Sequence, residues 1–168
     1  MKKLSHLDKK GRACMVDVSK KTSTAREAIA MGTVHMKKQT LSLITNKKIS
    51  KGDVFETARL AGIMAAKRTS ELIPLCHPLN ISSVTVDLSV DSRKNSVNIE
   101  AKVKCAGQTG VEMEAMTAVL VSALTVYDMC KAVDRGIVIS DIKLMRKSGG
   151  KSGNWVRTTR RSSGKNPR

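Results

Sequence analysis

The sequence predicts an α+β fold of the ferredoxin-like βαββαβ type, an antiparallel sheet covered by helices on one face. Three observations carry that expectation. Residues 83–91 and 97–103 alternate apolar and polar residues around a short polar turn. Residues 51–73 and 110–134 carry apolar residues at helical spacing. Candidate strands at 27–36 and 137–145 stand before the first helices and after the last. In this arrangement the second sheet face is bare and calls for a partner, which points to an oligomer.

The elements follow in chain order. Ile29, Met31 and Thr33 fit a strand over 27–36, although Arg26 to Ala30 alone would also suit a helix. Residues 37–46 read as a short helix ending near Asn46. Over 51–73, Ser50-Lys51-Gly52-Asp53 has the form of a capping box, with Asp53 able to reach back. Val54, Ala58, Ala61, Ala65 and Leu72 then lie close to one face, and Pro74 ends the helix. Val84, Val86, Leu88 and Val90 share one strand face. Val97, Ile99, Ala101 and Val103 resume the pattern after Ser92-Arg93-Lys94-Asn95, so the pair reads as a hairpin with one buried face. Thr109-Gly110-Val111-Glu112 looks like a second capping box opening the helix at 110–134. That helix is apolar nearly all round and is expected to be buried on more than one side. Gly136 is expected to stop it before the last strand.

Composition narrows the function. The chain has 168 residues, 40% hydrophobic and 27% charged, which suits one globular domain and not wholesale disorder. We divide it into an N-terminal segment at 1–14, expected to be mobile, a single catalytic domain at 15–155 and a basic, disordered tail at 156–168. The net charge of +17 attracts polyanions: nucleic acid, an anionic membrane or a phosphate-rich small molecule. Eight of those charges fall in residues 146–168, which contain no acid. Phe55, Tyr127 and Trp155 are the only aromatic residues of their kind, too few for a base-stacking platform. The beginning of the chain shows no apolar export signal, and the longest uncharged apolar run, 115–127, is too short to span a bilayer. Cys14, Cys76, Cys105 and Cys130 have no CxxC spacing and read as reduced thiols in a cytoplasmic protein.

Several segments could carry chemistry. In Leu75-Cys76-His77, Pro74 and Pro78 bracket a Cys-His pair and stiffen its loop. Functionally this is a fixed imidazole serving as acid, base or phosphate donor. The plainer reading is a packed loop whose His bonds a carbonyl, and residue type alone favours it. Zinc wants three or four ligands, and the other Cys and His residues are scattered, so a metal site is weaker still. Asp128 and Lys131 are three apart on a helix and face the same way, as an ordinary ion pair or as a base beside an acid. They follow thirteen uncharged residues of a helix expected to be buried, where charges need a reason. Glu112 suffices as a capping partner; Glu114 has no such duty. Glu114 and Asp128 are fourteen residues apart, roughly 21 Å along a helix, so one small-molecule site using both lies between subunits. Lys51 and Lys67-Arg68 stand at the two ends of the second helix. They are either solvated surface charge or lysines whose pKa is lowered by nearby cations. Lys147-Ser148-Gly149-Gly150-Lys151-Ser152-Gly153 lacks the GxxxxGK[ST] spacing. It reads as a basic loop that closes over an anion, or as a linker to the tail.

Together these blocks, in this order, resemble the cyclic pyranopterin monophosphate synthase family, the C proteins of molybdenum-cofactor biosynthesis. The resemblance runs from Leu4-Ser5-His6-Leu7-Asp8 to about Gly153. It includes Met15-Val16-Asp17-Val18-Ser19, Lys51 to Val54, Ala65 to Thr69, Leu72 to Pro78, Thr109 to Ala115, Tyr127 to Val133 and Lys147 to Gly153. It implies conversion of 3′,8-cyclo-7,8-dihydroguanosine triphosphate to cyclic pyranopterin monophosphate with release of pyrophosphate. It also implies a ferredoxin-like homohexamer, a trimer of dimers with sites at dimer interfaces, fed by an upstream radical-SAM GTP cyclase. No cofactor and no metal held by the protein is implied. Asp128 is then the active-site residue, with Lys131 and Lys51 as its proton-transfer partners. Leu75, Cys76, His77, Glu112, Met113 and Glu114 match substrate-contact segments; Arg26, Lys67 and Lys147 match phosphate or pterin contacts. The chain departs from the family pattern at Asn154-Trp155, where Asp-Phe is usual, and in the basic extension. Two other readings compete. One is a nucleic-acid-binding protein on the same core, with affinity residing non-specifically in the tail; the other is a scaffold partner of the upstream enzyme.

Overall fold

The computed structural model describes residues 7, 8 and 10–158. Leu4-Ser5-His6 and most of the basic extension, 159–168, lie outside the described residues. The elements are β1 (Thr24–His35), α1 (Lys38–Thr45), α2 (Val54–Ala66), α3 (Thr69–Leu72), β2 (Ile81–Asp91), β3 (Ser96–Gly107), α4 (Glu112–Cys130), β4 (Val138–Ser148) and β5 (Trp155–Val156). The sheet order is β2-β3-β1-β4-β5 with every neighbouring pair antiparallel. The first four strands thus have the ferredoxin-like arrangement, and the 27–36 segment is a strand.

The alternation in β2 and β3 does what period two requires. Val97, Ile99, Ala101 and Val103 are fully buried, as is Val86 opposite Ala101. Ala28, Ala30 and Val34 extend the same face across β1. Helices α2 and α4 lie on it, so Ala58, Ala115, Ala118, Val119, Ala123 and Val126 complete the core. The helical spacing of small residues lets α2 approach α4 closely. Ser122 Oγ donates to the Ala58 carbonyl at 2.9 Å. A Cβ on Gly62 would overlap Ser122 Oγ and stand 2.9 Å from the Ala118 carbonyl oxygen.

The helix boundaries differ from the sequence expectation, each for a local reason. Asp53 is itself the N-cap of α2, accepting from Phe55 N and Glu56 N, so the Ser50–Asp53 capping box does not form. The helix expected over 51–73 breaks at Lys67-Arg68 into α2 and α3, and Leu72 is exposed. Thr69 Oγ1 accounts for the break: it donates back to the Ala66 carbonyl at 3.0 Å, satisfying a helix end in place of a further turn. No side chain caps α4 at Val111, and Glu112 is used otherwise. α4 ends at Cys130, well before Gly136. There Asp134 is buried and accepts from Lys37 N, Thr40 Oγ1 and Gly136 N, which ties the turn before β4 to the start of α1.

The uncovered sheet face also differs. Glu27 on it pairs with Lys104 and Arg146, and Asn98 accepts from Thr33, so the face is largely polar. A strip of exposed apolar side chains lies on the helices instead, Leu60 and Met64 of α2, Met113, Leu120 and Leu124 of α4, and Leu72, while Val138, Trp155 and Val156 are exposed on β4 and β5. α4 is thus buried on more than one side, as expected, and open along this strip. At the far edge the sheet runs past the expected boundary at 155. Trp155 and Val156 form β5, Arg157 N donates to the Met145 carbonyl at 2.8 Å, and its guanidinium lies 5.5 Å from the Trp155 ring centroid.

The α2–α4 contact yields a direct test. Gly62→Ala forces the helices apart and is expected to cost about 1–3 kcal/mol. Urea denaturation monitored by circular dichroism measures it.

Candidate functional site

α2 runs antiparallel to α4, so each end of α4 meets a basic end of α2. At the C-terminal end of α4, Lys131 Nζ lies 2.7 Å from Asp128 Oδ1, and Lys51 Nζ lies 2.9 Å from Asp128 Oδ2. Lys51 also donates to the Asp128 carbonyl at 2.9 Å. Lys51 is presented by the turn between α1 and α2, which Asp53 braces by capping α2 and pairing with Lys47 at 3.0 Å. The charges are not buried, as the run before them implies. The side chains of Lys51, Asp128 and Lys131 are 45%, 54% and 52% exposed, on the outer strip of the helix layer. Hydrogen bonds from Lys131 and then Lys51 hold the Asp128 carboxyl down at about 2. The same carboxylate raises the Lys131 ammonium above its ordinary value.

At the N-terminal end of α4 is a cavity of about 330 Å³. Leu75, Cys76, His77, Glu112, Met113 and Glu114 line it, joined by Val16, Val18, Lys21, Leu79, Thr109 and Gly110. His77 Nε2 donates to the Val16 carbonyl at 2.7 Å, because a carbonyl can only accept. The plain reading of the loop, a His bonded to a carbonyl, therefore holds alongside the functional one. The bond fixes the tautomer and leaves Nδ1 for other work. The bond also holds the irregular segment before β1 against the cavity.

The two carboxylates of this wall differ. Glu112 pairs with Lys147 at 3.0 Å, and Lys147 also donates to Ser152 Oγ at 2.9 Å. Glu114 is 4% exposed and pairs with no cation among the described residues. Burial, and then the Glu112 charge, raise its carboxyl to about 6. Burial and Glu114 raise the Cys76 thiol as well. Lys67 shares a much smaller adjoining hollow with His77 and Glu114. Arg26 bonds the carbonyls of Gly107 and Gln108, just before the cavity-lining Thr109. All four cysteines are free thiols, and among the described residues no group of three or more His, Cys, Asp or Glu is placed to hold a metal ion.

The structure thus gathers nine of the twelve sequence-predicted residues at one end of α4 and Lys51, Asp128 and Lys131 at the other. Val16 and Thr109 lie in recognisable blocks but carry no reactive group, so residue chemistry did not single them out. Lys21 lies in no such block, and only the fold brings it to the cavity.

Fold and cavity together define an α+β protein of ferredoxin-like type with a cavity walled by carboxylates, an imidazole and lysines. More narrowly, the chain belongs to the MoaC family, which matches residues 15–150. It is 62% identical over 154 residues to a cyclic pyranopterin monophosphate synthase of Parvibaculum lavamentivorans, covering 92% of this chain and 96% of that one. A protein of the same name from Chloroflexus aurantiacus is 59% identical, covering 92% and 94%. One from Heliobacterium modesticaldum is 57% identical over 157 residues, covering 94% and 99%.

Glu114 gives this site a pH signature. Its folded-state pKa is above its unfolded one, so its contribution favours folding below about 4.5 and is lost as pH rises through about 6. Glu114→Gln, neutral throughout, is expected to be more stable than wild type at pH 7.5. The difference shrinks toward pH 5, as urea midpoints across that range would record.

Proposed function

We propose that this protein converts 3′,8-cyclo-7,8-dihydroguanosine triphosphate to cyclic pyranopterin monophosphate and pyrophosphate, as a lyase of molybdenum-cofactor biosynthesis. The observation that carries the reading is the carboxylate of Asp128 held between two ammonium groups, in a chain of this family. Opening a purine ring and reclosing it as a pterin needs several proton transfers. Asp128 holds Lys131 protonated and also pairs with Lys51, and we assign the proton transfers to this trio. Cyclic phosphate formation then follows from attack of a ribose oxygen on the α-phosphorus. The bond from that phosphorus to pyrophosphate breaks, and the hydroxyl proton passes to a base of the site. Lysines near the leaving group, Lys147 and Lys67 among them, offset its growing charge. Leu75, Cys76, His77, Glu112, Met113 and Glu114 shape the cavity around the bicyclic rings, and Arg26 stands behind it, bonded to the Gly107 and Gln108 carbonyls.

Both ends of α4 serve one substrate only if two copies meet. The site is therefore assigned to a dimer interface, with the cavity from one copy and Lys51, Asp128 and Lys131 from its partner. The exposed strip of Leu60, Met64, Leu120 and Leu124 beside Asp128 supplies apolar surface for such contacts. A hexamer built as a trimer of dimers satisfies this arrangement. We place the catalytic domain at 15–155 and the protein in the cytoplasm, supplied by a radical-SAM GTP cyclase. The basic extension contributes only non-specific affinity for polyanions.

Pyrophosphate release from the cyclic dihydro-GTP substrate tests the reading. Wild type turns over, while Asp128→Ala and Lys131→Ala lose about 10²–10⁴-fold in rate. A folded wild type without turnover rejects the assignment. Mixing inactive Asp128→Ala with inactive His77→Ala and allowing subunits to exchange is expected to restore part of the activity. Sites contained within single chains would leave the mixture dead.

A further inference from the structure

Arg26 of β1 has its guanidinium enclosed on two sides. Nε donates to the Gly107 carbonyl at 2.7 Å and Nη2 to the Gln108 carbonyl at 3.1 Å. Against the opposite side lies the turn joining β4 to β5. A Cβ on Gly150 would overlap Nη1 and stand 2.7 Å from Cζ; one on Gly149 would overlap the Ala25 carbonyl oxygen. Both glycines have left-handed backbones, with φ of 90° and 70°. Backbone can approach the guanidinium this closely only where no side chain intervenes. The same two segments are joined a second time, because Lys147, two residues before Gly149, pairs with Glu112.

We infer that Arg26 and Gly150 form a positioning clamp: the guanidinium holds the 107–110 turn and the 149–150 turn at a fixed spacing, and so sets where Lys147 and the start of α4 stand at the cavity. Arg26 on this view acts through other groups and is not one more phosphate contact. Its planar fork suits the task. Two N–H groups reach successive carbonyls while the flat edge admits a glycine, and a lysine ammonium offers neither. The consequence for turnover rests on the triphosphate reading above; the clamp itself does not.

Hydrogen exchange of the full-length protein, read over residues 107–111 and 147–153, tests the clamp without substrate. Gly150→Asn puts a side chain into the space of the guanidinium. Gly153→Asn supplies the control, because Gly153 also has a left-handed backbone, at φ 64°, with nothing within 4 Å of a Cβ. Asn tolerates that conformation, so strain is shared and the clash is not. Gly150→Asn, Arg26→Ala and Arg26→Lys are each expected to speed exchange in both segments, about 10-fold or more. Gly153→Asn leaves 107–111 protected. Adding Gly150→Asn to Arg26→Ala changes nothing further, since the two act through one contact. In the pyrophosphate assay the same three variants raise KM about 10-fold or more, with a smaller change in kcat. Wild-type protection in Arg26→Lys, or exchange effects of Gly150→Asn and Arg26→Ala that multiply, would overturn the clamp. Should Gly150→Asn not fold, Gly150→Ala against Gly153→Ala makes the same comparison. If no protein turns over the substrate, the activity assignment falls, and exchange alone still decides the clamp.

Discussion

Helix α4 is nineteen residues long and fixed on the sheet by its small inner residues. Its two ends carry different chemistry, and neither can be brought to the other. Nearly everything else in the molecule answers to that separation. The antiparallel partner α2 sets Lys51 against Asp128 at one end and Lys67 beside Glu114 at the other. The close crossing at Gly62 and Ser122 keeps the two helices in register, so the pairings at both ends depend on one contact in the middle. A site using both ends has to be completed by a second molecule.

The two ends also handle charge differently. Asp128 is exposed, and two ammonium groups keep it ionised at any ordinary pH. Glu114 is buried, pairs with no cation among the described residues, and is pushed toward neutrality. A carboxylate that stays charged and one that readily gains a proton stand on the same helix because one is exposed and paired with two ammonium groups, and the other is buried beside a second carboxylate. Glu112 lies between these cases: it shares the cavity with Glu114 but has Lys147 to balance it.

Much of this was legible in the residues. Strict alternation marked β2 and β3, since one buried face demands it, and the long apolar run marked α4. The family blocks named most of the cavity. The misreadings were local. Ser50-Lys51-Gly52-Asp53 has the letters of a capping box, but Asp53 reaches forward as the cap itself. Lys67-Arg68 looked like helix because nothing in its composition announces the hydrogen bond by which Thr69 ends the turn. Asp128 and Lys131 were expected in a buried setting because periodicity cannot distinguish a face covered by the same chain from one left for another. Val16, Val18 and Lys21 come from a stretch with no regular structure, and no pattern reports which cavity such a stretch will cross.

The Cys76 thiol lines the cavity yet is kept protonated by burial and by its acidic neighbour. Thiolate, and not thiol, attacks electrophiles and oxidants. The wall is therefore chemically quiet at its most reactive atom. If the occupant is a triphosphate with a strained ring system, as proposed, its phosphorus atoms meet no competing sulfur nucleophile there.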